Sequence, residues 1–578
     1  MNSFPRHLQF SLLLFGSISM IFVYVHHSSG NGVSLRKILK IYDSSQNVIP
    51  VARVKKGNKW IVVTSVNHPT EDGKVRNIIY NGNGSKVSRD SQFSLVSSLP
   101  YKSYTRKNIG YLYAISQGAE WIYDTDDDNK PYGLGLNQFQ FEDIVSGVRY
   151  QVKNSSEGII QRILNPYRFY GIDQMWPRGF PLEYTEKHTN GTENQVLCYT
   201  MKRSSVQQRL VHHDPDVDAI YRLLHADSTS GLDIKFNKFA PPITLSVGTY
   251  SPWNSQNTLF HKTAFHTLFL PTTVSFRTTD IWRSFISQKI LHLSGLTVSF
   301  VPTNAIQFRN AHDYLKDFKD EKQVYEDAGK MIEFLDNWNC SMRVNVEDCM
   351  TLLAEVLVKN DLWGEKDSRL LSSFLEDLKS LGFRFPELIK GNYKDPNISS
   401  SNETERNVNC RRINLEFKLV DPKKSEEASI TMAEKKISYF GDLDDWCNET
   451  GYFNLSRRFP SAKQLSKEHD DLFAVKQNKN SILIVVNNYP WKYGLGLIQR
   501  LYQPYFASVI FCGSWYPDQL IDQDKFTSII DPINYIHMNP AEIHEGYFAY
   551  HCVTLVKEMR LNNVRGYFLM ADDSVFNI

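Results

Sequence analysis

The sequence predicts an α/β fold: two strand-and-helix units separated by a helical middle region and a polar linker. Three observations predict it. Residues 60–66, Trp-Ile-Val-Val-Thr-Ser-Val, have the aromatic and β-branched content of a buried strand. Residues 108–128 read in order as helix, stop, strand and acid cluster. From residue 481 onward a second series of apolar runs, at 481–486, 506–511 and 566–571, repeats that logic and ends in Asp572-Asp573.

Composition bounds the rest. With 578 residues the chain is long enough for roughly two to four domains. Hydrophobic content of 42% and aromatic content of 13% supply sizeable cores. A net charge of +2 gives no bulk electrostatic case for a nucleic-acid partner. The seven cysteines are scattered and none stands in Cys-x-x-Cys spacing, so no zinc site is expected. Their odd number leaves at least one thiol free or bonded between chains.

The apolar run 8–25 follows Arg6 and His7 and is just long enough to span a membrane. A cleaved signal peptide competes with an anchor, because Ser28-Ser29-Gly30 offers small residues. Eight Asn-x-Ser/Thr sequons follow, at Asn83, Asn154, Asn190, Asn339, Asn397, Asn402, Asn448 and Asn454. Together they suit a lumenal body. The expected organisation is a cytosolic tip and transmembrane signal anchor over 1–27, a stem over 28–57 and a first domain over 58–310. A helical region over 311–390, a polar linker over 391–440 and a second α/β domain over 441–578 follow.

Within the first domain, Ile109, Leu112, Tyr113 and Ile115 recur at helical spacing, and Gly118 fits the left-handed residue that ends a helix. Trp121, Ile122 and Tyr123 suit a short buried strand. Four carboxylates follow in five residues: Asp124, Asp126, Asp127 and Asp128. Like charges this close repel unless something positive sits among them. Oxygen-only ligands suit Mg²⁺ or Mn²⁺, and the end of a strand in an α/β sheet is where ligands bind. The competing reading is a solvated acidic turn or a loose Ca²⁺ loop.

Further along, the segments 165–171 and 175–183 are rich in Pro, Gly and aromatics and suggest an ordered binding loop. There Trp176 could stack on a sugar or plug a core, and Arg178 could meet a phosphate. Asp214, Asp216 and Asp218 precede an apolar helical start, as capping and first-turn acids do. Asp280 stands near the start of another helix. Tyr314, Phe318, Val324, Ala328, Ile332 and Leu335 follow one helical face, and Leu352, Leu353, Val356 and Leu357 begin another. The C-terminal unit is expected to be incomplete, since the sequence stops five residues after Asp573.

The helix opened by Arg106-Lys107-Asn108 and the strand closed by Asp126-Asp127-Asp128 resemble the nucleotide-sugar half of GT-A glycosyltransferases, a Rossmann-type fold. Such a resemblance implies that Arg106 and Asn108 border a nucleoside-diphosphate sugar, with the acids holding its metal. It also implies that the loop after the first strand receives base and ribose, which makes Thr64 and Asp72 binding candidates. A carboxylate at a late helix start faces the acceptor in many such domains, so Asp280 is the candidate general base. More widely, residues 107–115 through Asp127, Asn165-Pro-Tyr, 176–183, 214–223, Asp280-Ile-Trp-Arg283, 482–486 and Asp572-Asp573 resemble the STELLO-like family of Golgi type II membrane proteins. The acid segment is similar to that of the reversibly glycosylated polypeptides, which act on UDP-sugars. STELLO proteins keep Asp124, Asp126 and Asp127, whereas the second family adds Asp128. The metal pair is therefore Asp124/Asp126 or Asp126/Asp128.

The resemblance implies a metal-dependent Golgi glycosyltransferase moving a sugar to a glycan or protein acceptor. Protein partners in a Golgi complex are implied too, as plant STELLO proteins associate with cellulose synthase assembly. The alternative is a non-catalytic Golgi scaffold or glycan-binding protein retaining the fold, because fold does not establish reaction. Any donor site is expected between about 55 and 310.

Overall fold

The computed structural model describes residues 59–64, 78–80, 93–100, 103–126, 128–152, 158–185, 194–227, 231–308, 313–340, 345–389, 410–415, 417, 479–487, 492–503, 505–514, 533–538 and 548–574. The expected membrane anchor, the stem, Asp72, Asp127 and every sequon except Asn339 lie outside them. Among the described residues no helix is long and apolar enough to cross a membrane.

Eleven strands form one large mixed sheet. They are β1 (Lys59–Thr64), β2 (Ile78–Tyr80), β3 (Trp121–Asp126), β4 (Asn129–Pro131), β5 (Ile144–Tyr150), β6 (Gln195–Lys202), β7 (Val206–His213), β8 (Ile243–Leu245), β9 (Asn257–His261), β10 (Val298–Gln307) and β11 (Cys410–Arg412). Their order is β11-β6-β5-β8-β10-β7-β9-β3-β1-β2, with β4 added on β10. Strands β1, β2 and β3 are parallel. Strand β9 runs antiparallel to both β3 and β7, and β10 is parallel to β7. The C-terminal ends of β3, β7 and β10 therefore lie along one edge of the sheet.

Helix α1 (Lys107–Ser116) buries Ile109 and Leu112 against this sheet, as the apolar spacing predicts. It ends at Gly118, whose φ of +83° would strain any residue with a side chain. A four-residue helix, α2 (Pro166–Phe169), is capped by Asn165. Helix α3 (Ala219–His225) is capped by Asp218, whose carboxylate accepts from the Tyr221 amide, the capping role the sequence indicated. Helix α4 (Thr279–Leu293) is buried on nearly every side, polar residues included. Such a helix is an internal element, and its charged residues must find partners inside the protein.

The helical region follows the periodicity with one difference. The face running from Tyr314 to Leu335 is carried by two helices, α5 (Tyr314–Asp320) and α6 (Lys322–Asn337), which meet at Glu321. Asp313 caps the first. The Glu321 carboxylate turns inward and accepts from the Ala219 amide at 2.7 Å, so the break anchors this layer to α3. Phe318, expected in the buried face, is 40% exposed. Helices α7 (Val346–Lys359) and α8 (Glu365–Ser380) pack together beyond α4.

The second unit is a parallel four-stranded sheet of order β14-β13-β12-β15, formed by β12 (Ser481–Asn487), β13 (Ser508–Gly513), β14 (Asn534–His537) and β15 (Gly566–Ala571). Helices α9 (Lys492–Tyr502) and α10 (Phe548–Glu558) connect its strands. It is tied to the first unit by an antiparallel bridge between Asn414 and Tyr535, and by the Asn562 amide donating to Phe239 O at 3.2 Å. Six cysteines pair, Cys198 with Cys410, Cys340 with Cys349 and Cys512 with Cys552. Cys447, the seventh, lies outside the described residues.

Candidate functional site

The acid cluster lies at the common strand edge. The chain passes from β3 almost directly into β4, which pairs with the end of β10, Asn129 opposite Gln307. Asp126 and Asp128 therefore stand where the ends of β3 and β10 meet. A register shift in β10 between Val301 and Ala305 lets its last residues re-aim toward this junction.

The four acids do not share one environment. The sequence places them all at an open strand end, yet Asp124 is completely buried. Lys107 Nζ lies 2.9 Å from one of its oxygens and Arg283 Nη1 lies 3.0 Å from the other. Asp124 and Asp126 share one face of β3, and they differ by depth along the strand, since only the last residue reaches solvent. Asp126 keeps a third of its side-chain surface exposed. Lys107 also reaches Asp126 Oδ1 at 3.3 Å, Thr125 O at 3.1 Å and the Tyr104 hydroxyl at 3.1 Å. Burial would lower the Lys107 pKa, but Asp124 and Asp126 outweigh it and hold the ammonium charged. Asp126 is pushed up to about 7, first by burial and then by Asp128, Asp124 and Asp280, with Lys107 opposing.

Asp128 accepts from Gln307 Nε2 through both oxygens, at 2.9 and 3.1 Å. Asn129 Nδ2 donates to Thr125 Oγ1 at 3.0 Å and to Gln256 O at 2.6 Å. Its Oδ1 is buried without a hydrogen-bond partner among the described residues. Gln256 in turn donates to Gln307 Oε1 and to Asp214 O. The edge is thus a set of oxygen acceptors braced by amide side chains. Among the described residues there is no group of three or more His, Cys, Asp or Glu side chains that could hold a metal.

The remaining candidates form the layer beneath. Asp280 and Arg178, read from sequence as a base and a phosphate ligand, are ion-paired with each other at 3.1 Å. Arg178 also grips Asp216 at 2.8 Å, and Asp280 accepts from the Ser255 amide at 3.1 Å. Both are buried: Asp280 belongs to the internal helix α4, and the loop residue Arg178 packs against the start of that helix and satisfies its charge. Ser255 Oγ accepts from Arg283 Nη2 at 2.7 Å, so the charged groups run continuously from Lys107 through Asp124, Arg283, Ser255 and Asp280 to Arg178 and Asp216. Trp176 donates its indole N–H to Asp218 and packs edgewise on Tyr221, so it braces the α3 cap. Asn108 exchanges two amide hydrogen bonds of 2.9 Å with the Leu270 backbone and holds that loop. Arg106, the residue before α1, is buried. Thr64 ends β1 in register with Asp126, which places its backbone next to the acid edge.

The sequence reading left out Lys107, Tyr104, Arg283, Asn129, Gln256 and Gln307 as site residues. Lys107 and Arg283 stood inside motifs already singled out. The two glutamines carry no local signal, since only the sheet brings them together.

A mixed α/β sheet that brings solvent-reaching carboxylates to the ends of its parallel strands fits a GT-A-like α/β protein. The comparisons narrow that class. The model of the STELLO glycosyltransferases matches residues 277–578, from the start of α4 through the second sheet. The chain belongs to this family. It is 31% identical over 358 residues to "Probable glycosyltransferase STELLO2" of Arabidopsis thaliana, covering 57% of this chain and 46% of the relative. To "Probable glycosyltransferase STELLO1" of the same plant it is 30% identical over 368 residues, covering 59% of this chain and 47% of the relative. The chain thus spans about half the length of the curated relatives it matches.

Proposed function

We propose that this protein is a glycosyltransferase that takes a sugar from a nucleoside-diphosphate sugar and passes it to a glycan or glycoprotein hydroxyl at the Asp126/Asp128 edge. The observation that carries the reading is Asp126 itself: a carboxylate a third exposed, backed by a buried lysine and near enough to Asp128 for the two charges to repel. Its carboxyl is raised to about 7 first by burial and then by Asp128, Asp124 and Asp280, and a cation would relieve the share that those neighbouring charges contribute.

The donor set fits Mn²⁺ or Mg²⁺. Asp126, Asp128 and the unpartnered Asn129 Oδ1 are all oxygens, and Mg²⁺ is commonly held by one or two carboxylates with substrate phosphates completing its shell. Of the two possible metal pairs, Asp126/Asp128 is favoured, since both Asp124 oxygens already face cations. Such a cation would neutralise charge on the leaving diphosphate. Lys107 and Arg283 would keep Asp124 fixed and so hold the backbone of β3 rigid beneath the donor. Thr64 and Asp72 are proposed for the nucleoside side, on strand position and sequence resemblance.

A Golgi-lumenal body is part of the proposal. Three disulfides suit an oxidising compartment, and the exposed Asn339 sequon is accessible for glycosylation. The test is titration of the purified body with a panel of UDP- and GDP-sugars, with and without Mn²⁺. Saturable, Mn²⁺-dependent binding of one class supports the reading, and no binding across the panel rejects it.

A further inference from the structure

From the ends of β7 and β10 we infer that His213 is the base that takes the proton from the acceptor hydroxyl, with the sugar of the acceptor lying on Phe308. The inference rests on the transferase reading above and adds to it the acceptor side of the same edge.

Asp280 cannot easily serve there, since Arg178 and the Ser255 amide hold its carboxylate below the surface. His213 is joined to the acid edge through Gln307. It is the last residue of β7 and pairs in register with Gln307, the residue whose amide holds Asp128. Adjacent strands are about 4.8 Å apart, so His213 is one strand spacing from the side chain that braces the acid edge. Its backbone has φ of +73°, in the left-handed region that a non-glycine residue enters at a cost. Reciprocal backbone hydrogen bonds with Ile234, at 2.8 and 3.0 Å, hold it there.

The side chain is set up accordingly. Nδ1 lies 3.3 Å from Asp214 Oδ2, an electrostatic contact without the alignment of a hydrogen bond, and Asp214 is fixed by Arg222 Nη1 at 2.9 Å and by the Leu232 amide at 3.3 Å. A carboxylate beside Nδ1 favours the tautomer that leaves Nε2 as acceptor. The ring is 23% exposed, which suits a group that must meet a substrate. Phe308 follows Gln307, packs edgewise on the His213 ring with centroids 4.8 Å apart, and leaves 57% of its surface exposed. An exposed aromatic face beside a histidine, one strand from the acid edge, offers a platform for a sugar ring carrying the reacting hydroxyl.

The step balances without further reagents. The acceptor oxygen attacks the anomeric carbon while its proton passes to His213 Nε2. The bond from that carbon to the diphosphate oxygen breaks, and its electron pair leaves with the nucleoside diphosphate. A single displacement of this kind inverts the anomeric carbon.

His213→Gly and His213→Asn test it in the full chain, because both residues tolerate left-handed backbone and should fold. The donor identified by titration is supplied with Mn²⁺, and nucleoside-diphosphate release is followed with water and with a panel of glycans as acceptors. Both variants should bind donor within about twofold of the parent yet turn over 10²–10⁴-fold more slowly, the usual range for loss of a general base. Added imidazole should partly restore the glycine variant, and the product should have inverted configuration. Turnover within a few-fold of the parent, loss of donor binding in the variants, or a retained configuration overturns the assignment. A parent chain that binds donor but never turns it over also overturns it, whereas a parent chain that binds no donor defeats the transferase reading itself.

Discussion

Arg283 Nη1 lies 3.0 Å from Asp124 Oδ2, across 159 residues of sequence and in the interior of the protein. Lys107 takes the other oxygen of the same carboxylate. One buried anion thereby joins the start of α1, the middle of β3 and the second turn of α4.

Removing either cation leaves one Asp124 oxygen uncompensated in a dry interior. Lys107→Met or Arg283→Met should each cost about 3–5 kcal/mol. Urea unfolding of the glycosylated body measures it. Losses under about 1 kcal/mol would show that Asp124 is held by something other than these two cations.

Asp126→Asn should behave in the opposite way. Its side chain reaches solvent and its charge is crowded by Asp128 and Asp124, so folding should survive or improve slightly at pH 8. Mn²⁺-dependent donor binding should fall by a factor of about 100 or more, beyond the 10–100-fold typical of supporting residues around a metal. Calorimetric titration decides, and donor binding as tight as the parent's would remove Asp126 from the site.

Two buried carboxyls should favour the folded state in acid. Burial raises Glu321 to about 7, with Arg178 and the Ala219 amide opposing, and raises Asp218 to about 6 against the Tyr221 amide and the Trp176 indole. Both carboxyls hold their protons more tightly folded than unfolded. Their contribution is fully present below about pH 4 and is lost as pH rises through 6 and 7. Burial holds His212, His261, His266 and His292 below the usual histidine range, and they oppose this below about pH 6.5, so the carboxyl contribution is read by comparing a variant with the parent at pH 5.5 and pH 8. Relative to the parent, Glu321→Gln should lose up to about 2 kcal/mol of the stability difference that favours pH 5.5 over pH 8. An unchanged slope in that variant would show that Glu321 does not titrate in this window.

Asn339 is exposed beside the Cys340–Cys349 disulfide and should carry a glycan in the expressed protein. Endoglycosidase treatment should increase gel mobility, and Asn339→Gln should remove one step of that shift. No shift, together with protease access from the cytosolic side, would reject a lumenal body.

Much of the fold could be read from local pattern. The α1 periodicity, Gly118 and the apolar runs of β1, β3, β12 and β15 were visible because each element's burial is written in its own residues. The site was legible only as far as the acid cluster. Which acid faces solvent depends on what lies across the sheet, and Arg283 is too distant in sequence to announce itself. In the sequence, Asp280 and Arg178 read as surface chemistry, because nothing local shows that α4, which carries Asp280 and against which Arg178 packs, is internal. The inward turn of Glu321, which divides α5 from α6, is likewise dictated by a backbone amide in α3. Gln307 and His213 become neighbours through strand register alone.

The Cys198–Cys410 bond closes a covalent ring around 212 residues of sequence separation, from β6 to β11. All of β7 to β10 and α3 to α8 lies inside that ring. A single backbone cut anywhere between the two cysteines would therefore not divide the protein into two molecules. The nicked chain would migrate as one species on a non-reducing gel and as two after reduction. Limited digestion can accordingly open the acceptor edge or the helical layer while every candidate residue stays attached to the same particle.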